Sequence, residues 1–195
     1  MTRCCDIVFS MFGLLLLSPL FLIVALCIVI DDPGPVFYRQ QRVGQNGKDF
    51  SLLKFRSMRT GADKQSLITI GDRDPRITRV GYYIRKYKID ELPQLCNVLI
   101  GEMSLVGPRP EARKYVELYT PEQRKVLAVR PGITDHASIE YIDESTLLAQ
   151  AEDPDKTYIE QIMPAKIALN MRYINHQTIG EYFKIICLTF YKIIR

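Results

Sequence analysis

Two adjacent carboxylates, Asp90 and Glu91, have the residue types and the spacing best suited to chemistry in this sequence. They stand between a basic stretch, Arg85-Lys86-Tyr87-Lys88, and an apolar pattern with helical spacing. Neighbouring residues on a helix point in different directions. One carboxylate could therefore attack a phosphorus atom while the other holds a divalent cation. The simpler alternative, that Asp90 caps a helix and Glu91 favours its dipole, stays open at this point.

The element that must position this pair is a predicted helix that begins at Asp90. Pro93 suits its first turn, where a missing N–H costs nothing, and Gly101 ends it. The apolar stripe that defines the helix consists of Leu92, Leu95, Cys96 and Leu99. Because a helix N-terminus favours anions, Asp90 is expected to stay ionised, and a phosphate could also dock there.

The composition predicts one modest folded domain, since the chain has 195 residues, a net charge of +4 and 47% hydrophobic residues. This balance argues against disorder and against a strongly nucleic-acid-like protein. The five cysteines are odd in number and lack zinc-finger spacing, which indicates a reducing, cytosolic setting.

An uncharged apolar segment covers residues 7–30. As a helix, its length of roughly 36 Å exceeds a hydrocarbon core of about 30 Å. Ser18-Pro19 lies in the middle, so the segment is either a kinked spanning helix or a re-entrant helix. Length and composition favour spanning. Basic residues on both flanks, and a site that must lie at one interface, favour a re-entrant helix with a cytosolic amino terminus. We predict the re-entrant form, in which the Ser18 hydroxyl bonds a nearby carbonyl.

The chain after this segment is predicted to be one domain, residues 33–195, of the α+β class and mainly helical. Asn46-Gly47 is typical of a small β-hairpin, and the cations Lys54, Arg56 and Arg59 close it. These cations are either a solvated edge or a site for phosphates. Residues 73–88 contain six cations and three tyrosines, which beside an apolar segment indicates interfacial or phosphate binding rather than nucleic-acid binding.

Two later stretches have candidate roles of their own. Arg109 lies between Pro108 and Pro110, so its backbone has little freedom, which suits a fixed phosphate contact or simply a rigid turn. Residues 179–194 are largely apolar with a charged face, the pattern of an interfacial amphipathic helix or of a core helix.

A different catalytic hypothesis comes from Asp72-Arg73-Asp74, which matches the D-x-D pair of metal-dependent glycosyltransferases. Such an enzyme would take the sugar from a UDP-sugar donor, leave the donor's phosphates on the nucleotide and release UDP. A third reading is a non-enzymatic, membrane-anchored basic module that binds anionic lipid.

Five motifs, taken in order with the Ser18-Pro19 break, closely resemble the bacterial sugar transferases known as monotopic phosphoglycosyl transferases. The motifs are Lys54-Phe55-Arg56-Ser57-Met58, Thr78-Arg79-Val80-Gly81, Asp90-Glu91-Leu92-Pro93-Gln94-Leu95, the segment 103–110, and Arg130-Pro131-Gly132-Ile133-Thr134. The resemblance covers nearly the whole chain and matches the minimal catalytic form.

This resemblance implies transfer of a sugar 1-phosphate from a UDP-sugar to polyprenyl phosphate, usually undecaprenyl phosphate, with release of UMP. It also implies Mg²⁺, a re-entrant membrane helix over residues 1–32, and a site on the cytosolic face of the bacterial plasma membrane. It leaves open which sugar is transferred, which glycoconjugate pathway the chain serves, and whether the chain is a homodimer or has another oligomeric state.

The resemblance also implies roles for individual residues. Asp90 would be the nucleophile that forms an aspartyl-linked sugar phosphate, and Glu91 would help to hold Mg²⁺ next to it. Arg85 would hold a phosphate. Arg109, fixed by Pro108 and Pro110, would contact the uridine diphosphate.

Lys54 and Arg56 are weaker candidates for supporting the site, and Ser18-Pro19 would break the membrane helix. One segment departs from the family. Many members continue after Gly132-Ile133-Thr134 with Gly-Trp-Ala-Gln, whereas this chain reads Asp135-His136-Ala137-Ser138. His136 is expected to be structural rather than a general base.

Overall fold

The computed structural model describes residues 2–62 and 74–194, and it is mostly helical with two small sheets. The predicted mainly helical α+β class is confirmed. The helices are α1 Thr2–Asp31, α2 Arg79–Lys86, α3 Gln94–Ile100, α4 Arg113–Val116, α5 His136–Glu140, α6 Glu144–Ala149, α7 Pro154–Thr157, α8 Met163–Asn175 and α9 Ile179–Ile194. The strands are β1 Phe37–Val43, β2 Asp49–Phe55, β3 Ser104–Val106 and β4 Gly132–Thr134.

Helix α1 continues through the Ser18-Pro19 pair. Pro19 has no N–H to donate to the carbonyl of Leu15, its helical partner four residues back. The Ser18 hydroxyl donates to that same carbonyl at 2.8 Å, which is the role expected for it from the sequence. The carbonyl that proline leaves without a donor is thereby satisfied inside the helix.

By length and composition, α1 is the one helix in the described chain that could cross a membrane, a test that signal sequences and buried core helices also pass. Only 11% of its most apolar window is buried, so it is not an ordinary core helix. Its exposed apolar side chains include Phe12, Leu15, Leu16 and Leu22.

Both ends of α1 are held by the rest of the domain. At the amino-terminal end, the Arg3 guanidinium donates to the carbonyls of Val98 and Leu99 in the last turn of α3. Both carbonyls lie in the last turn of α3, where a helix end has fewer backbone donors than its interior. At the other end, Val24 and Ile28 pack in a small core together with Phe55 of β2 and Ile84 of α2.

The amino-terminal turn of α1 also contains a buried carboxylate that the sequence did not single out. Asp6 is 2% exposed and accepts hydrogen bonds from the Ser104 hydroxyl, the Leu105 N–H and the Tyr182 hydroxyl. A buried carboxyl group needs such hydrogen-bond partners. Asp6 therefore joins α1, β3 and α9 in one place.

The predicted β-hairpin is confirmed as β1 paired antiparallel with β2, from Phe37 opposite Phe55 to Val43 opposite Asp49. Asn46 and Gly47 in its turn both have positive φ angles, 57° and 74°. That backbone region favours asparagine and glycine. The hairpin places Lys54 near the end of β2, with its side chain largely buried.

A second sheet, which the sequence did not predict, pairs β3 and β4 in parallel, with Ser104 opposite Gly132. Its chains approach so closely that a Cβ on Gly132 would lie 2.1 Å from the Gly107 nitrogen. The pairing therefore depends on glycine. It fixes the start of the segment Pro108-Arg109-Pro110.

The carboxyl-terminal helix α9 contributes to the core, because Tyr182 and Ile185 are fully buried. Its other face exposes Phe183, Leu188, Phe190 and Tyr191. The ring of Phe183 makes an edge contact with Phe9 of α1, so the exposed apolar surfaces of the two helices are continuous. The core-helix interpretation of residues 179–194 thus holds for one face of α9, and the interfacial interpretation of its exposed face stays a prediction.

Candidate active site

The two adjacent carboxylates lie in a single turn of 3-10 helix, Ile89–Glu91, ahead of α3. The predicted N-cap role of Asp90 is therefore wrong. Lys88, with φ 56°, turns the chain in the left-handed region, and α3 begins only after Pro93. The predicted end of this helix is confirmed, since Gly101 has φ 97° and donates its N–H to the last turn.

Glu91 is the centre of an ion-pair cluster drawn from three segments. Its Oε1 lies 3.2 Å from the Lys54 Nζ on β2. The guanidinium of Arg109 donates to both of its oxygens, with Nη1 to Oε2 at 3.0 Å. Such a two-point contact fixes both side chains. The structure thus brings together three of the residues predicted for the site.

The members of this cluster shift one another's pKa values. Burial by itself would raise the pKa of Glu91, but Arg109 and Lys54 outweigh burial and hold it well below its usual range. Burial lowers the pKa of Lys54, partly offset by the charge of Glu91. Glu91 is therefore ionised at neutral pH, and its negative charge stabilises two cations at the same point.

Asp90 has a different environment from that of its neighbour. It is 5% exposed, and its Oδ1 atom has no hydrogen-bond partner in the described chain. Burial, reinforced by the charge of Glu91, raises its pKa, against the opposing effect of Lys54 and Arg85. Asp90 therefore lacks the α3 terminus that was expected to favour its ionised form. A buried carboxylate oxygen without a donor is available to a metal ion or to an electrophile.

The residues present fit a magnesium ion. Within the described ranges, no group of three or more His, Cys, Asp or Glu side chains could hold a metal by itself. Mg²⁺ is commonly held by one or two carboxylates and completes its shell with water and substrate phosphates. The Asp90 oxygen that has no donor matches that pattern, and Glu91, the next residue, supplies a second carboxylate whose oxygens are shared with Arg109 and Lys54.

The remaining predicted site residues lie at different places. Arg85, in the last turn of α2, is near enough for its charge to lower the pKa of Asp90. The Arg56 guanidinium is 6% exposed and binds Thr60 and Asp32, the residue that follows α1. Arg56 therefore holds the carboxyl-terminal end of α1 and does not belong to the ion-pair cluster of Glu91, Lys54 and Arg109.

Pro108 and Pro110 are both buried on either side of Arg109. They line a small cavity of about 30 Å³, with Lys166 and Asn170 on its polar side. A cavity of this size has room for about two water molecules. The prolines thus shape the turn rather than offer a broad binding surface.

Of the D-x-D candidate, Asp72 and Arg73 lie outside the described residues. Asp74 is described, and its carboxylate is bound by Arg76, with Nε at 2.9 Å and Nη2 at 2.6 Å. This pairing lowers the pKa of Asp74. The carboxylate is therefore already committed to a neighbouring arginine.

Sequence reasoning missed Asp135, whose carboxylate accepts the backbone N–H of Arg109 at 3.0 Å. The only signal was that the segment starting there departs from the resembling family. Its neighbour His136 bonds Glu181 through Nε2 at 2.8 Å, which ties α5 to α9.

Comparison with known proteins gives the class. The bacterial sugar transferase family matches residues 1–195, so the chain belongs to that family. It is 35% identical, over 96% of its length, to the UDP-glucose:undecaprenyl-phosphate glucose-1-phosphate transferase of Escherichia coli. It is 36% identical, also over 96% of its length, to the protein of the same name from Caulobacter vibrioides.

A third relative is the UDP-N-acetylgalactosamine-undecaprenyl-phosphate N-acetylgalactosaminephosphotransferase of Aeromonas hydrophila, 42% identical over 80% of the chain. The relatives are longer than this chain. The alignments span 39% of the Escherichia coli protein, 67% of the Caulobacter protein and 36% of the Aeromonas protein. The likeness to these three relatives therefore extends only to the part of each that aligns with this chain.

Proposed function

We propose that this chain transfers a sugar 1-phosphate from a UDP-sugar to undecaprenyl phosphate, with release of UMP. The observation that supports the proposal most is the buried Asp90 oxygen without a partner, next to the cluster of Glu91, Lys54 and Arg109. The three relatives are named for sugar-phosphate transfer to undecaprenyl phosphate, which agrees with it.

The proposed reaction has two displacements at one phosphorus atom. An Asp90 carboxylate oxygen attacks the phosphorus that carries the sugar, and the bond from that phosphorus to the bridging oxygen breaks, so UMP leaves. An oxygen of undecaprenyl phosphate then attacks the same phosphorus. The bond to Asp90 breaks, which regenerates the carboxylate and forms the sugar diphospholipid.

The charges of the site explain the need for a further cation. The two cations Lys54 and Arg109 are balanced by the two carboxylates Asp90 and Glu91 when both are ionised. A diphosphate brings additional negative charge that the four residues cannot neutralise. Mg²⁺ would supply that neutralisation when bound, and Glu91 with Asp90 would hold it. Arg109, and Arg85 nearby, are the cations that would bind the phosphates.

We also propose that α1 is re-entrant and that the site lies at the cytosolic face of the plasma membrane. The supporting observation is that Arg3 and Asp6 at one end, and Val24 and Ile28 at the other, contact the same domain. A helix that crossed the bilayer would place these two ends on opposite sides. The exposed apolar surface of α1, continuous with that of α9, would then face lipid.

The nucleotide product tests the proposed reaction. With a panel of UDP-sugars, undecaprenyl phosphate and Mg²⁺, the purified chain is expected to release UMP, measured by chromatography. Release of UDP would instead support the D-x-D glycosyltransferase, and no turnover on the whole panel would support a lipid-binding module.

The topology makes a separate prediction, which Cys4 and Cys5 can report. The test uses a variant in which Cys27, Cys96 and Cys187 are changed to serine. In intact spheroplasts, a membrane-impermeant maleimide should not label its Cys4 and Cys5. It should label them after permeabilisation. A Ser18→Leu, Pro19→Ala double variant is expected to favour a straight spanning helix and to label from outside.

The control for this experiment is the cysteine-free chain, which should give no signal in either state. Labelling of the Ser18-Pro19 chain in intact spheroplasts would show that α1 spans the membrane and would contradict the re-entrant form.

A further inference from the structure

Asp135 is a fully buried carboxylate that holds two different segments at once. Its backbone is extended, and its Oδ1 accepts the Ser138 N–H at 2.5 Å, so it is the N-cap of α5. Its Oδ2 accepts the N–H of Arg109 at 3.0 Å. One side chain therefore joins the start of α5 to the Pro-Arg-Pro turn.

The contact matters because the turn has few ways to be fixed. Pro108 and Pro110 have no backbone N–H, so the Arg109 N–H is the one main-chain donor of the three residues. Arg109 is consequently held at two points, by Asp135 at its backbone and by Glu91 at its guanidinium. Moving the backbone would move the guanidinium relative to Asp90 and Glu91.

Asp135 is itself rigidly placed. The residue before it, Thr134, shares a hydroxyl hydrogen bond of 2.6 Å with Thr189 of α9. The residue after it, His136, bonds Glu181 of the same helix. Asp135 thus has both neighbours tied to α9, and it transmits that fixed position to Arg109.

We propose that Asp135 is a positioning residue that aims the Arg109 guanidinium at the diphosphate of the nucleotide donor. This rests on the proposed function, in which Arg109 binds that diphosphate. Asp135 contacts the backbone of Arg109 and not the substrate, so its effect must pass through Arg109. Its loss should weaken nucleotide binding only while Arg109 is present to be aimed.

The test measures binding of UDP, with Mg²⁺, to the full chain in lipid nanodiscs. Asp135→Asn places an amide N–H₂ against the N–H of Arg109, and Asp135→Ser is too short to reach it. Both residues still cap a helix well, so α5 keeps its first turn. Each variant is expected to weaken UDP binding about tenfold, the scale of one lost hydrogen bond to a binding group.

The decisive comparison repeats these variants in an Arg109→Lys background, as a double-mutant cycle. In that background, Asp135→Asn is expected to change the affinity for UDP less than about twofold, because the guanidinium that Asp135 positions is absent. A purely structural role would give the same tenfold loss in both backgrounds and would overturn the proposal.

Asp153→Asn is the matched control. Asp153 also caps a short helix, α7, and accepts the Lys156 N–H at 3.0 Å, but it is exposed and distant in sequence from the site. The Asp153→Asn variant should bind UDP with the same affinity as the unaltered chain. Equal losses from Asp153→Asn and Asp135→Asn, or no loss from Asp135→Asn and Asp135→Ser, would contradict the assignment. An unaltered chain that binds UDP but never releases UMP would overturn the proposed reaction alone.

Discussion

Asp90→Asn is expected to lower UMP release by at least about a thousandfold, because an amide cannot form the proposed covalent bond to phosphorus. The substitution keeps the shape of the side chain. Burial raises the pKa of Asp90, which means that the folded state disfavours its charge at neutral pH. A neutral amide removes that penalty, so the melting temperature should not fall.

The two measurements together separate chemistry from folding. UMP release is followed with the nucleotide assay, and unfolding is followed by thermal denaturation of the same preparation. A variant that retains its turnover would contradict the assignment of Asp90. A variant that loses activity and also unfolds at a much lower temperature would contradict the account of its burial.

Glu91→Gln is expected to have the second largest effect, and on two properties. Loss of its charge leaves Lys54 and Arg109 without their common partner. The free energy of unfolding is expected to fall by about 2 kcal/mol, the scale of hydrogen bonds to a charged group. The same loss removes a proposed magnesium ligand, so the Mg²⁺ concentration required for half-maximal activity should rise at least about tenfold. EDTA should stop the unaltered enzyme, and Mg²⁺ should restore it.

Asp74→Asn is the matched control for this prediction, because it also removes a carboxylate that binds an arginine, Arg76. It should leave the Mg²⁺ requirement of UMP release unchanged. If Asp74→Asn were the severe lesion and Glu91→Gln the mild one, the D-x-D glycosyltransferase would replace the function proposed above.

Local features of the fold could be predicted because they depend on neighbouring residues. Asn46-Gly47 specifies the hairpin turn through its positive φ angles, and Gly101 ends α3 for the same reason. The Ser18 hydroxyl reaches the Leu15 carbonyl because both lie within one turn of α1.

The start of α3 could not be predicted in the same way. The apolar stripe from Leu92 onwards fits a helix that begins at Asp90, but Lys88 takes a left-handed conformation that side chains other than glycine and asparagine rarely adopt. Sequence has no marker for that conformation. The consequence reaches the chemistry, since Asp90 is buried in a separate turn instead of exposed at a helix terminus.

The pairing of site residues depends on contacts distant in sequence. Lys54 and Glu91 are 37 positions apart, and Glu91 and Arg109 are 18 apart. Residue types and resemblance could name these residues as candidates, but not as partners of one another. Strands β3 and β4 have three residues each, too few for a periodic pattern, so the sheet that places Arg109 also escaped prediction.

The covalent step is the central claim, and the mass of the intact protein tests it most directly. The unaltered chain, incubated with its UDP-sugar and Mg²⁺ but without undecaprenyl phosphate, is expected to gain the mass of one sugar phosphate. Peptide mapping should place that mass on Asp90, and addition of undecaprenyl phosphate should remove it. An adduct that persists in Asp90→Asn, or turnover to UMP through a chain that never gains this mass, would contradict the account.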